Sequence, residues 1–224
     1  TTAREDVARI LSKYTLLAVP VVDEGGHLLG IVTVDDVIAA IVREQTEDVQ
    51  KFGGMEALDE PYMEISLLSM IKKRAGWLCA LFIGEMLTAT AMGFFEGEIS
   101  KAVVLALFIP LIISSGGNSG SQATSLIIRA MALREVTLRD WWRVASRELP
   151  SGIVLGLILG FIGFVRITLW QQFGWYNYGS HHMLVALTVS SALVGVVTFG
   201  SLAGSMLPFV LRRFGFDPAS ASAP

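Results

Sequence analysis

The pattern of apolar and polar positions divides the chain near Lys73 and Arg74. Upstream the periods are short and change often. Residues 5–14 (EDVARILSKY) set Val7, Ile10 and Leu11 on one helical face. Ala18 to Val22 then reads as a short buried strand, Asp23-Glu24-Gly25-Gly26 as a tight turn, and His27 to Val34 as a second strand. Asp35 and Asp36 stand where an N-cap and a first-turn carboxylate belong, ahead of the helix DVIAAIVREQTEDVQK. This unit, residues 1–50, is too small to bury a good core alone. Residues 51–74 follow as a connector, punctuated by Gly53-Gly54 and Pro61, and Ile65, Leu68, Met70 and Ile71 predict an amphipathic connector helix along the cytoplasmic membrane surface or against the mouth of the bundle.

Downstream the apolar runs are long. About 20 helical residues cross ~30 Å of hydrocarbon, and residues 75–224 offer four such spans, at about 75–97, 102–128, 151–170 and 184–211. With 53% hydrophobic and 17% charged residues in 224, an ordinary soluble enzyme is excluded. Residues 1–74 hold 8 Lys/Arg against 13 Asp/Glu, and the remainder holds 9 against 7. Lys72, Lys73 and Arg74 precede the first span, Arg129, Arg134, Arg139, Arg143 and Arg147 fill the loop between the second and third, and Arg212 and Arg213 follow the fourth. The positive-inside rule then predicts a multi-pass protein of the cell (inner) membrane with both ends of this chain cytoplasmic. Trp170, Trp175, Tyr176 and Tyr178 predict an aromatic belt at the outer face, to which Arg166 can reach. The single cysteine, Cys79, allows no intrachain disulfide and reads as a core thiol.

Two features go beyond what a membrane anchor needs. On the helix after Asp35, with Asp36 at zero, Glu47 falls at about 20°, Glu44 at about 80° and Asp48 at about 120° around the axis. Four carboxylates on one third of the wheel repel one another unless a cation offsets them, which fits a hard divalent ion, Mg²⁺ or Ca²⁺, as well as an ordinary solvated face. The second feature is Ser114-Ser115-Gly116-Gly117-Asn118-Ser119-Gly120-Ser121-Gln122 in the middle of the second span. Pro110 upstream predicts an opened backbone there, and irregular backbone at membrane depth lines a cavity or is buried in protein. A path of neutral amide and carbonyl oxygens suits Mg²⁺, which gives up its water reluctantly. Gly116/Gly120, Gly152/Gly156/Gly160 and Gly200/Gly204 are also small-xxx-small pairs that permit close helix contact. Glu85, ionisable within the first span, marks a further candidate for the path.

These residues resemble a known family. L-L-A-V-P-V-V-D-E-G-G-H-L-L-G-I-V-T-V-D-D-V, residues 16–37, resembles the second half of a CBS domain, a module that works in pairs and often senses nucleotides or metal ions. R-x-x-W-L at Arg74–Leu78, F-E at Phe95-Glu96, P-L-I-I-S-S-G-G-N-S-G-S-Q at 110–122, L-I-I-R-A at 126–130 and L-R-D-W at 138–141 extend the likeness to the MgtE family of Mg²⁺ channels. The fold class is then mainly α, a polytopic α-helical membrane domain with a small α/β partial CBS domain at its N-terminus. The resemblance implies a homodimer in the lipid bilayer that passes Mg²⁺ down its electrochemical gradient through a pore between subunits. It assigns Asn118 and its glycines, Gly116 and Gly117, to the pore, beside Pro110, Gln122 and Glu85, which the residues themselves offer as pore-lining candidates. It assigns Asp36, Glu44, Glu47, Asp48 and Asp217 to a face where cytoplasmic Mg²⁺ closes the gate. It also implies a fifth span after Phe216-Asp217-Pro218, an N-terminal domain and a first CBS repeat, with room for a nucleotide in the intact CBS domain.

The residues keep other readings open. A channel for Co²⁺, Ni²⁺ or Mn²⁺ is one, although His and Cys ligands that would suit softer metals are missing from the knot. A non-conducting membrane sensor carrying a CBS module is another. No nucleic-acid partner is expected. No enzyme is expected either, since Ser119 has no neighbouring His/Asp arrangement.

Overall fold

A computed structural model describes residues 4–100 and 103–220, without the side chains of residues 4–6, 9, 44 and 220. Its first part follows the short periods of the sequence. Helix α1 (Arg4–Tyr14), strands β1 (Ala18–Val22) and β2 (Leu28–Thr33), and helix α2 (Val34–Phe52) follow in order. The strands pair antiparallel, Ala18 opposite Thr33 and Val19 opposite Val32, with an irregularity between Val21 and Val22. The turn between them closes because the Asp23 carboxylate accepts the His27 N–H at 2.8 Å and Gly26 takes a φ of 82°, a conformation that costs glycine little. Leu11 and Val37 are buried as α1 packs on α2, whereas Leu28, Leu29 and Ile31 of the hairpin are left open.

Two expectations are corrected here. The N-cap of α2 is Thr33, not Asp35 or Asp36, and Asp36 sits at the third helical position. There its carboxylate accepts both the Thr33 N–H, at 3.1 Å, and the Thr33 hydroxyl, at 2.7 Å. This is a capping box, with its N-cap two residues earlier than predicted. The connector helix expected over 51–74 is mostly absent as a helix. Residues 53–65 run as turns around Gly54 and Pro61, and α3 (Leu67–Phe94) begins behind an N-cap at Ser66 and carries Leu67–Arg74 straight into the first span. Gly and Pro break the helix before its amphipathic pattern can take hold. Lys73 fastens the two parts, donating to the Ala57 carbonyl and pairing with Asp59 at 2.6 Å.

The remaining elements are α4 (Glu96–Ile99), α5 (Val103–Ala106), α6 (Ile109–Ala132), a 3₁₀ turn at Leu138–Asp140, α7 (Trp141–Gln172), α8 (His182–Arg213) and a last 3₁₀ turn at Pro218–Ser220. Among the described residues, four helical segments are long and apolar enough to cross a membrane: Leu67–Phe94, Val103–Ala132, Leu138–Gln172 and His182–Arg213. Each overlaps one of the four expected spans, and the third starts 13 residues earlier than expected. The helix α3 buries none of its residues against the others, so Cys79, read as a core thiol, is exposed on it.

Helix α8 is the shared partner of α6 and α7. Its positions Ser190, Val194 and Thr198 meet Gly160, Gly156 and Gly152 of α7, which therefore runs antiparallel to it. A Cβ on Gly156 would lie 2.7 Å from the Val194 Cα, and one on Gly152 would lie 2.9 Å from the Thr198 Cα. On another face of α8, Gly200 and Gly204 meet Gly116 and Gly120 of α6, which runs parallel to it. A Cβ on Gly200 or Gly204 would collide with the Gly116 or Gly120 carbonyl oxygen. Lipid gives apolar helices no hydrophobic reason to associate, so this close approach, with its dispersion contacts, is what holds them. Apolar clusters complete the two ends, Ile167, Val189 and Leu193 around Phe108 and Tyr178 at one, and Ile127, Met131, Val144 and Phe209 at the other.

The α6–α8 contact gives a direct test. Gly204→Val is expected to lower the thermal midpoint in detergent, at a cost of ~2 kcal/mol for overpacking. Gly195→Ala, whose Cβ would enter open space, should leave the midpoint unchanged or raise it by up to ~1 kcal/mol of helix propensity.

Candidate ion path and regulatory face

The knot at 114–122 does not open the backbone. Helix α6 runs unbroken through it, because Pro110 stands in the first turn, where the N–H it lacks would have had no helical partner. The small residues serve the contact with α8 instead. Gly116, Ser119, Gly120, Ala123, Thr124 and Ile127 are buried on one side of α6. Two hydroxyls add to this seam. Ser119 and Ser201 share a hydrogen bond of 2.6 Å, and Thr124 donates to the Gly204 carbonyl at 2.8 Å. That carbonyl needs the donor. Its helical partner would be the N–H of residue 208, which is a proline inside α8.

Fixing that side outward from α8 fixes the other. Ser114, Asn118, Gln122 and Ser125 are exposed. They fall within about 80° of one another on the helix, centred roughly opposite the α8 contact, and span ~16 Å along the axis. Asn118 and Gln122 have no side-chain hydrogen bond to any other described residue. Of the predicted path residues, Pro110 is exposed on the same half of α6, Gly117 is half-buried at its flank, and Gly116 lies behind, against Val196 and Gly200. Glu85 is exposed on α3 and is not brought near them within this chain.

The acidic face of α2 is likewise met in part. Glu47 and Asp217 come together through a residue the sequence reading passed over. Lys51 reaches Glu47 at 2.7 Å and Asp217 at 2.8 Å, joining α2 to the segment after α8. The other Asp217 oxygen accepts the Ala219 N–H at 2.9 Å, and Ala219 is buried. The two carboxylates, Asp217 first, hold the Lys51 ammonium well above the usual lysine range. The i,i+4 spacing of Glu47 and Lys51 was readable as a pair; the Asp217 contact, 166 residues away, was not. Asp36 is occupied by its cap, Asp48 is half-buried on the same helix, and the side chain of Glu44 lies outside the described residues. Among the described residues no three His, Cys, Asp or Glu groups gather as a metal site.

A family model described as "MgtE: Divalent cation transporter" matches residues 109–224, more than half the chain, including the whole of α6, α7 and α8. The chain belongs to the MgtE family. A CBS domain model matches residues 1–43. The chain is 40% identical over 223 residues to the magnesium transporter MgtE of Thermus thermophilus, covering 100% of this chain and 47% of that protein. It is 34% identical over 221 residues to the magnesium transporter MgtE of Enterococcus faecalis, with 99% of this chain and 46% of that one covered. For the magnesium transporter MgtE of Bacillus subtilis the identity is 30%, over 99% of this chain and 47% of the relative. The chain thus spans about half the length of the curated MgtE relatives it matches.

Two outcomes are expected of the cytoplasmic face. Lys51→Met should speed amide exchange at Ala219 about fivefold, the worth of one ion pair at a largely exposed site. Because the ammonium is raised, the pair persists through neutral pH and through mild alkali, and fails only where pH climbs past the ordinary lysine range. For Asp36 the sign is opposite. The Thr33 hydroxyl and amide hold it below the usual carboxylate range, so its capping support is fully present above that range and is lost as pH falls through the depressed value. Amide exchange over Val34–Ile38, followed against pH, should be protected down to stronger acid than in Asp36→Asn, which should be unprotected throughout.

Proposed function

We propose that the full-length protein is a Mg²⁺ channel or transporter, passing the ion down its electrochemical gradient along a path lined by α6, and that it is not an enzyme. The observation that carries this reading is the exposed stripe Ser114, Asn118, Gln122, Ser125 on a helix apolar enough to span a membrane. Two unpartnered amides facing hydrocarbon would each cost free energy with nothing to offset it. A second copy of the chain, apposed by a two-fold axis, would turn the two stripes toward each other and enclose a neutral, oxygen-lined path. In this homodimer Pro110, Gly117, Asn118 and Gln122 line the path, Gly116 lets α6 seat on α8 behind it, and Glu85 of α3 flanks it. The neutral lining favours a cation that keeps most of its hydration shell, and the names of three relatives, each a magnesium transporter, favour Mg²⁺ as substrate.

The cytoplasmic carboxylates supply the regulation in this reading. Asp36, Glu44, Glu47 and Asp48 on α2, with Asp217 beyond α8, bind Mg²⁺ when it is plentiful, drawing α2 onto the membrane domain and closing the path. Such an ion shifts the gate only by its differential affinity for the closed arrangement. The basic residues beside the spans support a reading in which both ends of this chain lie on the cytoplasmic side of the cell membrane. The open apolar face of Leu28, Leu29 and Ile31 suits a first CBS repeat, where a nucleotide site would be completed.

Growth of a bacterium lacking Mg²⁺ uptake tests the proposal. The full-length parent is expected to restore growth at low external Mg²⁺, and Asn118→Ala to reduce ²⁸Mg²⁺ uptake severalfold at equal membrane abundance. Failure of the parent to restore growth, or unchanged uptake in Asn118→Ala, overturns it; rescue by Co²⁺ or Ni²⁺ accumulation alone would reassign the substrate.

A further inference from the structure

Outside the path, the outward face of α7 carries a groove that neither the transport reading nor the family resemblance uses. Phe161, Ile162, Val165 and Leu169 form its apolar floor and Trp170 its upper wall, with a volume of about 350 Å³. Arg166 stands in the middle of it. From Leu149 through the end of α8 the sequence contains no Asp or Glu, and among the described residues no carboxylate makes an ion pair with Arg166. A charge on a membrane-facing helix is costly unless it reaches the interface or finds a counter-ion.

The arginine side chain points toward the interface. Side chains on a helix lean toward its N-terminus, yet the Arg166 guanidinium is centred 4.1 Å over the ring of Trp170, one turn toward the C-terminal end. It has been drawn toward the end of α7, which closes at Gln172, six residues or ~9 Å beyond it. Trp170 and Trp175 meet edge to face at 6.2 Å, and Phe173 stacks on Trp175 at 5.4 Å, so the aromatic belt fixes the platform under the guanidinium. A cation held at the level of the belt, above an apolar groove that continues down the same face, has the polarity of one molecule that the membrane supplies.

We propose that this groove is a binding site for a phospholipid, its phosphate paired with Arg166 and one acyl chain lying along Phe161, Ile162 and Leu169. The guanidinium fork matches two phosphate oxygens, which is the geometry of a strong charge-assisted pair. Held over Trp170, it gives up little freedom on binding. The inference is independent of which ion the protein moves, since it needs only that α7 face the bilayer.

Native mass spectrometry of the full-length protein, titrated in detergent with phosphatidylglycerol, tests it. Arg166→Gln is expected to weaken the tightest bound lipid about tenfold, and Arg166→Lys, which keeps the charge but not the fork, by less. Ile162→Trp, which fills the groove and keeps the arginine, should also displace that lipid, with an unchanged elution volume showing that the bundle is intact. Diacylglycerol, which lacks the phosphate, should bind the parent and Arg166→Gln alike, and inorganic phosphate should not compete. Equal phosphatidylglycerol binding by parent and Arg166→Gln overturns the proposal, and so does competition by inorganic phosphate at the Arg166-dependent site. A second protein copy covering the groove would show as no Arg166-dependent lipid at all, which overturns it too.

Discussion

The backbone contact between α6 and α8 is the constraint on which the rest of the membrane domain depends. Gly116 and Gly120 meet Gly200 and Gly204 with no side chain between them, so the rotation of α6 about its own axis is fixed. A helix held by large side chains can repack after a small turn, because those side chains have other rotamers. Two helices held through carbonyl oxygens and Cα atoms have no such freedom. The side of α6 away from α8 is thereby chosen as well, and that side carries Asn118 and Gln122. The glycines and the amides of one nine-residue segment do opposite jobs on opposite faces, and the first sets the direction of the second.

The same seam disposes of the polar groups it contains. A membrane-spanning helix cannot leave a carbonyl to water, so Pro208 within α8 strips the Gly204 carbonyl of its helical donor, and Thr124 on α6 supplies the replacement. Ser119 and Ser201 satisfy each other, and Ser190 donates to the Gly160 carbonyl at 2.8 Å on the α7 side. Each bond is modest in a membrane, about 0.6 kcal/mol on average where measured. Each also needs the backbones to be close, which the glycines provide. Hydroxyls and glycines on α8 are therefore one device, and losing either weakens the other.

Much of this was legible in the sequence and some was not, for reasons that differ by feature. The four spans follow from apolar length alone, and the hairpin at 18–33 from alternation and a Gly-Gly turn, so both were readable. The small-xxx-small stripes in α7 and α8 announced close contact correctly, but a stripe names no partner. That Gly116 packs on Val196 and Gly200 depends on the relative direction of two helices. The expected break at Pro110 failed because the effect of a proline depends on its distance from the helix start, and the apolar run from Val103 hid where α6 begins. The N-cap moved by two residues because Thr33 is at once the end of β2 and the cap of α2. Asp36 counts as a free carboxylate on a helical wheel, whereas its geometry is committed to that cap. Lys51 is invisible to a pattern made of acids alone.

Lys51 alters how the acidic face is to be understood. A wheel of like charges is unstable in isolation, yet here an ammonium sits between Glu47 and Asp217 and joins α2 to the segment after α8. In the regulation proposed above, a divalent cation arriving at those two carboxylates meets a position that Lys51 already occupies. It must displace the lysine, or bind beside it through the remaining acids. The free energy of docking by an ion is then the difference between its bonds and those the lysine already makes, not their full value. Under that proposal, the concentration at which the ion prevails depends on how firmly Glu47 and Asp217 hold Lys51.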